Sequence, residues 1–307
     1  MGREDSGAAA AARPPGAWRD NARPGQHDQR RRQPVSQRIG LIGVGLMGHG
    51  IASNLLKHGH ALAVLEHAGN QPLDALQAAG AATQRSARAL AAGSEVVILC
   101  VTGSPQVEAV LQGADGVLAG LRAGTVVIDC STAIPRSTER MAQAVHAAGG
   151  RFLDAPMTRT PKEAAEGRLN LLVGGDAALF DACRPLLACF AENITHVGPV
   201  GAGHRMKLLH NYVSLGFIAL LSEAAACAQR GGVAAEAFVE VLAKGGGGSV
   251  ALERLKPYLL HRDASSLRFA MSNAQKDLSY YHTMAADSGA VAGIADAVLR
   301  TYTQGVA

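Results

Sequence analysis

The stretch Arg38–His60, RIGLIGVGLMGHGIASNLLKHGH, decides how the rest of the chain is read. Residues 38–44 are a short run of aliphatic side chains without polar alternation. That is the pattern of a strand buried on both faces of a parallel sheet. Residues 45–60 switch to apolar spacing of helical period and stop at Gly59. The switch is Gly43-Val44-Gly45-Leu46-Met47-Gly48, a G-x-G-x-x-G. Alone this is weak in a chain with 36 glycines, but between a strand and a helix it is specific. Gly43 permits the tight turn, Gly45 lets the backbone approach a pyrophosphate, and Gly48 lets helix pack on strand. Leu46 and Met47 open a helix whose free N–H groups and dipole favour an anion. The loop 43–48 is therefore expected to bind a dinucleotide.

Outward from this unit the alternation continues. Residues 61–66 read as a second strand ending in Glu66, 23 residues beyond Gly43. A carboxylate there accepts from both ribose hydroxyls and repels a 2′-phosphate, which favours NAD over NADP. His67 follows rather than an arginine, so no phosphate clamp is expected; the plain alternative is a solvated acid at a strand end. Residues 71–92 are alanine-rich and read as helical with a break near Gly80. Further strands are expected at 95–101, 125–131, 151–156, 169–175 and 193–198, with helices at 105–111, 135–149 and 178–190. Alternating strands and helices mean βαβ units. After Gly203 only helices are expected, the first and longest over about 204–230. The fold class is thus an α/β Rossmann domain at 38–200, its sheet mostly parallel and doubly wound, and an all-α domain at 201–307 joined by a long interdomain helix.

The chain has 307 residues, 48 % of them hydrophobic, and a net charge of +4, which excludes disorder throughout. Residues 1–37 hold seven arginines against four acids and almost no branched apolar side chains, so +3 of that charge lies there. This segment is expected to be a disordered tail: no apolar region follows its arginines, as a secretory signal requires, and its acids argue against a transit peptide. The rest is nearly neutral, so no nucleic-acid partner is expected. Uninterrupted apolar runs of membrane length are lacking, and Ser214, Ser222 and Glu223 interrupt the longest helix, so no membrane span is expected either. Five cysteines without C-x-x-C spacing suggest reduced thiols in a cytoplasmic protein. Eleven scattered histidines offer no metal site.

Four blocks carry a resemblance: GLIGVGLMGHGIASNLLKHGH at 40–60, DCSTAIP at 129–135, DAPMTRTPKEAAEGRLNLLVGG at 154–175, and GAGHRMKLLHNYVSLGFIALLSEA at 201–224, with KDL at 276–278. In these the chain resembles the β-hydroxyacid dehydrogenases, which include 3-hydroxyisobutyrate dehydrogenases and tartronate semialdehyde reductases. The resemblance implies a cleft between the two domains, Lys207 as the catalytic lysine, and cofactor or substrate contacts at Ser131 and Thr132. Val101 and Thr102, replacing a usual Leu-Pro, would meet the nicotinamide half, and Lys276 would reach back to the cofactor. Lys207 and Asn211 are four apart and share a helix face. An ammonium there would stabilise negative charge developing on a carbonyl oxygen and donate its proton; the plain alternative is a solvated helix-end charge. Asn211 would orient substrate or lysine.

The departures from the family pattern concern the substrate. Most members have Ser-Gly-Gly after DAP, whereas this chain has Met157-Thr158-Arg159-Thr160. A guanidinium suits a carboxylate, sulfonate or phosphate. With His210-Asn211-Tyr212 and Ser214 after the lysine, the chain looks close to the sulfolactaldehyde reductase branch. Thr158, Arg159, His210, Tyr212 and Ser214 are accordingly expected at the substrate, unless Arg159 simply faces solvent. Gly245–Gly248 replace side chains where the family shapes its pocket, and the family usually continues past Ala307 with one more small helix. The expected function is an NAD-dependent oxidoreductase interconverting a small 3-hydroxy acid, or an anionic ω-hydroxy compound, and its aldehyde or ketone, as a homodimer or homotetramer. The alternatives are an imine reductase and a catalytically silent NAD(P)-binding scaffold; such proteins lack the lysine that is intact here.

Overall fold

A computed structural model describes residues 36–306. The tail expected over residues 1–37 lies outside these apart from Ser36 and Gln37. Those two are tied to the body: Ser36 Oγ donates to Gly59 O (2.9 Å) and Gln37 N donates to His60 Nδ1 (3.3 Å).

The first part runs β1 (Arg38–Ile42), α1 (Leu46–Lys57), β2 (Ala61–Leu65), α2 (Asp74–Ala78), β3 (Ala82–Gln84), α3 (Ala87–Gly93), β4 (Val96–Leu99), α4 (Ser104–Gln112), α5 (Val117–Gly120), β5 (Val126–Asp129), α6 (Pro135–Ala147), β6 (Arg151–Asp154), β7 (Met157–Thr158), α7 (Pro161–Ala165), β8 (Leu169–Gly174), α8 (Ala177–Leu187) and β9 (Ala191–Gly198). Five helices follow: α9 (Ala202–Arg230), α10 (Ala235–Lys244), α11 (Val250–His261), α12 (Met271–Ser288) and α13 (Gly293–Val306).

The sheet order is β3-β2-β1-β4-β5-β6-β8-β7, with β9 on β8. The first six strands in that order pair in parallel; β8 then runs antiparallel to β6 and β7 and parallel to β9. This is a Rossmann sheet with an appended, partly antiparallel edge, as expected. Both faces are covered, and the strands divide their side chains between two cores at period two. Ile39, Leu41, Val96, Ile98, Ile128 and Leu153 enter one core. Ile42, Val97, Leu99, Val127 and Phe152 enter the other. Fully burying one such side chain contributes about 1.5–3 kcal/mol.

Two strands depart from the sequence reading. The stretch 71–92 is not one broken helix: after Gly80 the chain extends as β3, paired through Ala63↔Ala82, before Ser86 caps α3 by accepting from Ala89 N (3.1 Å). Ala-Thr-Gln is too short and too alanine-rich to show strand periodicity. The two-residue β7 is likewise invisible in the pattern.

Among the described residues α9 is the one helix that is long and apolar enough, by length and composition alone, to cross a membrane. It packs against β6, β8 and β9 at its start and then against α10, α11, α12 and α13. Small clusters fasten the helices to it: Leu208 with Tyr281 and Met284, and Leu221 with Leu252 and Leu255. One stripe stays open. Met206, Leu209, Val213, Phe217 and Leu220 recur at helical spacing and are 38–65 % exposed.

Candidate active site

The glycine loop has the geometry its three glycines were expected to allow. Gly43 has φ +96°, and a Cβ there would lie 2.2 Å from Cys100 O. A Cβ on Gly48 would lie 2.0 Å from Gly43 O, so only glycine lets α1 start this close to β1. Around Gly45 nothing lies within 4 Å of the Cβ position, leaving open space in front of the helix N-terminus. Val44 N donates to Asn70 Oδ1 (3.2 Å), which braces the loop. Leu46 is exposed and Met47 half-buried at the first turn of α1. The loop thus fits a dinucleotide pyrophosphate.

Glu66, just past β2, is exposed and accepts from Arg85 Nε at 3.3 Å. No cation was expected beside it, but the chain passing from β3 to α3 brings one. Nothing in the sequence pointed to Arg85, because it stands 19 residues from Glu66 and just after a strand that left no pattern.

The carboxyl ends of β4 and β5 lie beside the loop. Val101 N donates to Ser131 Oγ (3.0 Å), and Ser131 N donates to Asp129 Oδ1 (2.9 Å). Thr132 is half-buried. From the helical part, Lys276 Nζ donates to Thr102 O at 2.8 Å and lies 4.9 Å from the centroid of the Tyr280 ring. The α12 face therefore reaches the β4 loop, and Gly103 allows it: a Cβ there would be 2.5 Å from Tyr280 Oη.

Lys207 is half-buried on the second turn of α9. Its pKa is lowered to about 8: burial lowers it most, the Asp277 carboxylate opposes the drop, and the Lys276 charge adds to it. Asp277 is buried, and its Oδ2 accepts from Asn211 Nδ2 at 2.6 Å. Its Oδ1 lies 2.8 Å from Lys276 Nζ as an ion pair, without a well-aligned hydrogen bond. Asn211 and Lys276 thus meet at Asp277, whose charge also acts on Lys207. Asp277 was not singled out from the sequence; its position in KDL, next to Lys276, was the available signal.

The expected substrate residues divide. His210 Nδ1 lies 3.0 Å from Asn211 Oδ1. His210 is exposed as a whole, yet partial desolvation of its ring lowers its pKa, with the Asn211 hydrogen bond opposing and the charges of Lys207 and Arg254 adding to the drop. Ser214 is half-buried on the same helix. Tyr212 stacks on Tyr281 (centroids 4.1 Å apart, 19° between planes), so its ring fills the α9–α12 contact. Thr158 Oγ1 accepts from Asn170 Nδ2 (3.1 Å) within the β7–β8 pair. Arg159 is not a free guanidinium: it donates to the Glu192 carboxylate and to Arg168 O. Its φ of +83° is a left-handed conformation that costs a non-glycine residue roughly 1–2 kcal/mol, so the backbone keeps a glycine-like shape under an arginine. Among the described residues no three or more His, Cys, Asp or Glu side chains are placed to hold a metal ion.

A mostly parallel sheet with a glycine loop at its switch point, facing helices that carry a half-buried lysine and a buried aspartate, defines a nicotinamide-dependent dehydrogenase. The comparisons agree. Residues 38–198 match the NAD-binding domain of 6-phosphogluconate dehydrogenase, and residues 201–307 match the NAD-binding region of NADP-dependent 3-hydroxyisobutyrate dehydrogenase. The chain is 37 % identical over 222 residues to an NAD-dependent L-serine dehydrogenase of Pseudomonas aeruginosa, covering 72 % of this chain and 74 % of that one. It is 34 % identical over 247 residues to a 2-(hydroxymethyl)glutarate dehydrogenase of Eubacterium barkeri, covering 79 % and 80 %. A Mycobacterium tuberculosis 3-hydroxyisobutyrate dehydrogenase, solved with L-serine, superimposes with a TM-score of 0.80 at 27 % identity, covering 88 % and 94 %. The chain belongs to the 3-hydroxyisobutyrate dehydrogenase-like β-hydroxyacid dehydrogenases, and it is an NAD(P)-dependent oxidoreductase acting on CH–OH groups.

Proposed function

We propose that the protein interconverts a small 3-hydroxy acid, or an anionic ω-hydroxy compound, and its aldehyde or ketone, with Lys207 as general acid and base. The observation that carries this is that Lys207 shares a face of α9 with Asn211, whose amide donates to the buried Asp277 carboxylate, while burial draws the lysine pKa down to about 8. A proton donor works best when its pKa lies near the operating pH. Gly43, Gly45, Leu46, Met47 and Gly48 with Val101, Thr102, Thr132 and Lys276 would hold the dinucleotide, which would supply or accept the hydride when bound. In reduction, the Lys207 ammonium stabilises charge on the substrate oxygen and gives it a proton; in oxidation, the neutral amine removes that proton. Asn211 orients the lysine through Asp277, and Ser131 contacts the substrate. Thr158, Tyr212 and Ser214 shape its surroundings.

An anionic substrate is supported by the two lysines of the proposed site, Lys207 on α9 and Lys276 on α12. A sulfonate, as in the sulfolactaldehyde reductases, would be read by Arg159, which must first leave Glu192. Glu66 favours NAD, while Arg85 beside it is the cation that a 2′-phosphate of NADP would meet. The test is a panel of short aldehydes bearing carboxylate, sulfonate or no anion, assayed with NADH and with NADPH. We expect kcat/KM to be highest for an anionic aldehyde with NADH. Equal rates for the uncharged aldehyde overturn the anion reading, and a clear NADPH preference overturns the role of Glu66.

The five cysteines, all unpaired, support a reducing compartment such as the cytoplasm. Neither a nucleic-acid nor a membrane partner is proposed. The open apolar stripe on α9 supports a homodimer or homotetramer, since exposed patches of this kind mark interfaces. Phe217→Glu, at the centre of the stripe, is expected to shift the mass in light scattering from a multiple of 31.6 kDa towards that value. A wild-type protein of 31.6 kDa at every concentration would contradict the assembly.

A further inference from the structure

Beneath the proposed site lies a buried polar cluster that the mechanism does not use. Asp129 and Asp154 are register partners at the ends of β5 and β6, and both are fully buried. His204, also fully buried, sits on the first turn of α9 with Nε2 3.9 Å from Asp129 Oδ2 and Nδ1 3.9 Å from Asp154 Oδ2. Its hydrogen bonds reach two other elements. Nε2 lies 3.1 Å from Ser131 O, and Nδ1 lies 2.7 Å from Thr138 Oγ1 on α6. A carbonyl oxygen only accepts, so Nε2 carries the hydrogen and donates to Ser131.

The backbone around the ring is fixed as well. Asp154 accepts from Gly201 N (2.8 Å) and from His204 N (2.9 Å), so a carboxylate caps the N-terminus of α9, where negative charge is favourable. A Cβ on Gly203 would lie 2.4 Å from Leu172 O, so the helix starts in direct contact with β8. One turn beyond His204 stands Lys207. The imidazole therefore joins the two halves of the proposed machinery: Ser131, which also receives Val101 N, and the helix turn that carries the lysine.

We propose that His204 is a positioning residue that fixes Lys207 against Ser131 by clamping α9 to the ends of β5 and α6. This rests on Lys207 being the general acid and base. Without the clamp the first turn of α9 relaxes, Lys207 gains water, and the burial that depresses its pKa is partly lost.

The experiment compares His204→Ala, His204→Gln and Thr138→Val with the wild type, reading kcat, the pH profile of kcat/KM, NADH affinity by fluorescence and the melting temperature. A misplacement of about 1 Å costs up to roughly 10²-fold in rate, so His204→Ala is expected to lower kcat by roughly 10–10²-fold. NADH affinity is expected to stay at the wild-type value, and the limb near pH 8 to move upward. His204→Gln retains an amide N–H able to reach Ser131 O and is expected to recover most of the rate. Thr138→Val keeps the shape on α6 and is expected to move the limb in the same direction by less. The proposal is overturned if the limb stays in place while kcat falls only with melting temperature, or if Ala and Gln behave alike. Should His204→Ala not fold, the Gln and Thr138→Val variants decide by the same readouts. Lys207→Ala separates the two ideas: if it turns over normally the Lys207 reading fails, whereas if it is inactive and His204→Ala is unaffected only the positioning proposal fails.

Discussion

Lys207→Ala is expected to lower kcat by about 10²–10⁴, the usual span of a general acid–base contribution, with dinucleotide affinity unchanged. The separation follows from placement. The glycine loop proposed for the pyrophosphate lies between β1 and α1, and Lys207 belongs to a different part of the chain. A solvated helix-end lysine would behave otherwise, since its removal would leave the rate almost untouched. Lys207→Arg is expected to be nearly as slow, because a guanidinium stays charged and cannot exchange a proton near neutral pH. Stopped assays in both directions with tight-binding NADH controls check both variants, and near-normal turnover in the alanine variant contradicts the role.

Asp277→Asn is the second large effect. The carboxylate is buried, holds Asn211 at 2.6 Å and pairs with Lys276 at 2.8 Å. Hydrogen bonds to a charged group contribute about 1.5–3 kcal/mol, so kcat/KM near pH 8 should fall by roughly 10–150-fold. The asparagine keeps an oxygen for the Asn211 amide, so the fold is expected to persist. The sign of the pH effect is diagnostic. The Asp277 charge raises the Lys207 pKa against burial, so without it that pKa drops below about 8 and the limb moves to lower pH. This is opposite to the shift expected for His204→Ala. An unmoved limb with normal kcat/KM would show that Asp277 does not act on Lys207.

Much of this arrangement was legible in the chain. Runs such as Val96–Leu99 hold alternate side chains for two cores, so they read as continuously apolar, and the sheet follows from them. Gly43, Gly45 and Gly48 each occupy the geometry their spacing implies. Lys207 and Asn211 share a face because helical period is a local property. What stayed hidden depends on distant partners. Asp277 meets Asn211 across 66 residues, and Arg159 meets Glu192 across 33. The chemistry of Arg159 suggested an anion, and it holds one, but the anion is a side chain of this protein. The Asp129–Asp154–His204 cluster lies within the very blocks that carry the family resemblance, yet no residue in it shows its burial until β5, β6 and α9 converge. β3 left no pattern because Ala-Thr-Gln contributes pairing to the sheet edge and little side-chain packing.

Lys207, half-buried and with a pKa drawn down to about 8, is the group proposed to exchange the proton of the reaction. The most direct measurement is the pH dependence of kcat/KM in both directions with the preferred substrate of the aldehyde panel. A group that must be charged to donate loses activity as pH rises through its pKa, and one that must be neutral to accept gains it. The account predicts reduction falling and oxidation rising across a common limb near pH 8, displaced to lower pH by Asp277→Asn. A profile flat from pH 6 to 10 in both directions, about two units either side of that limb, would contradict it.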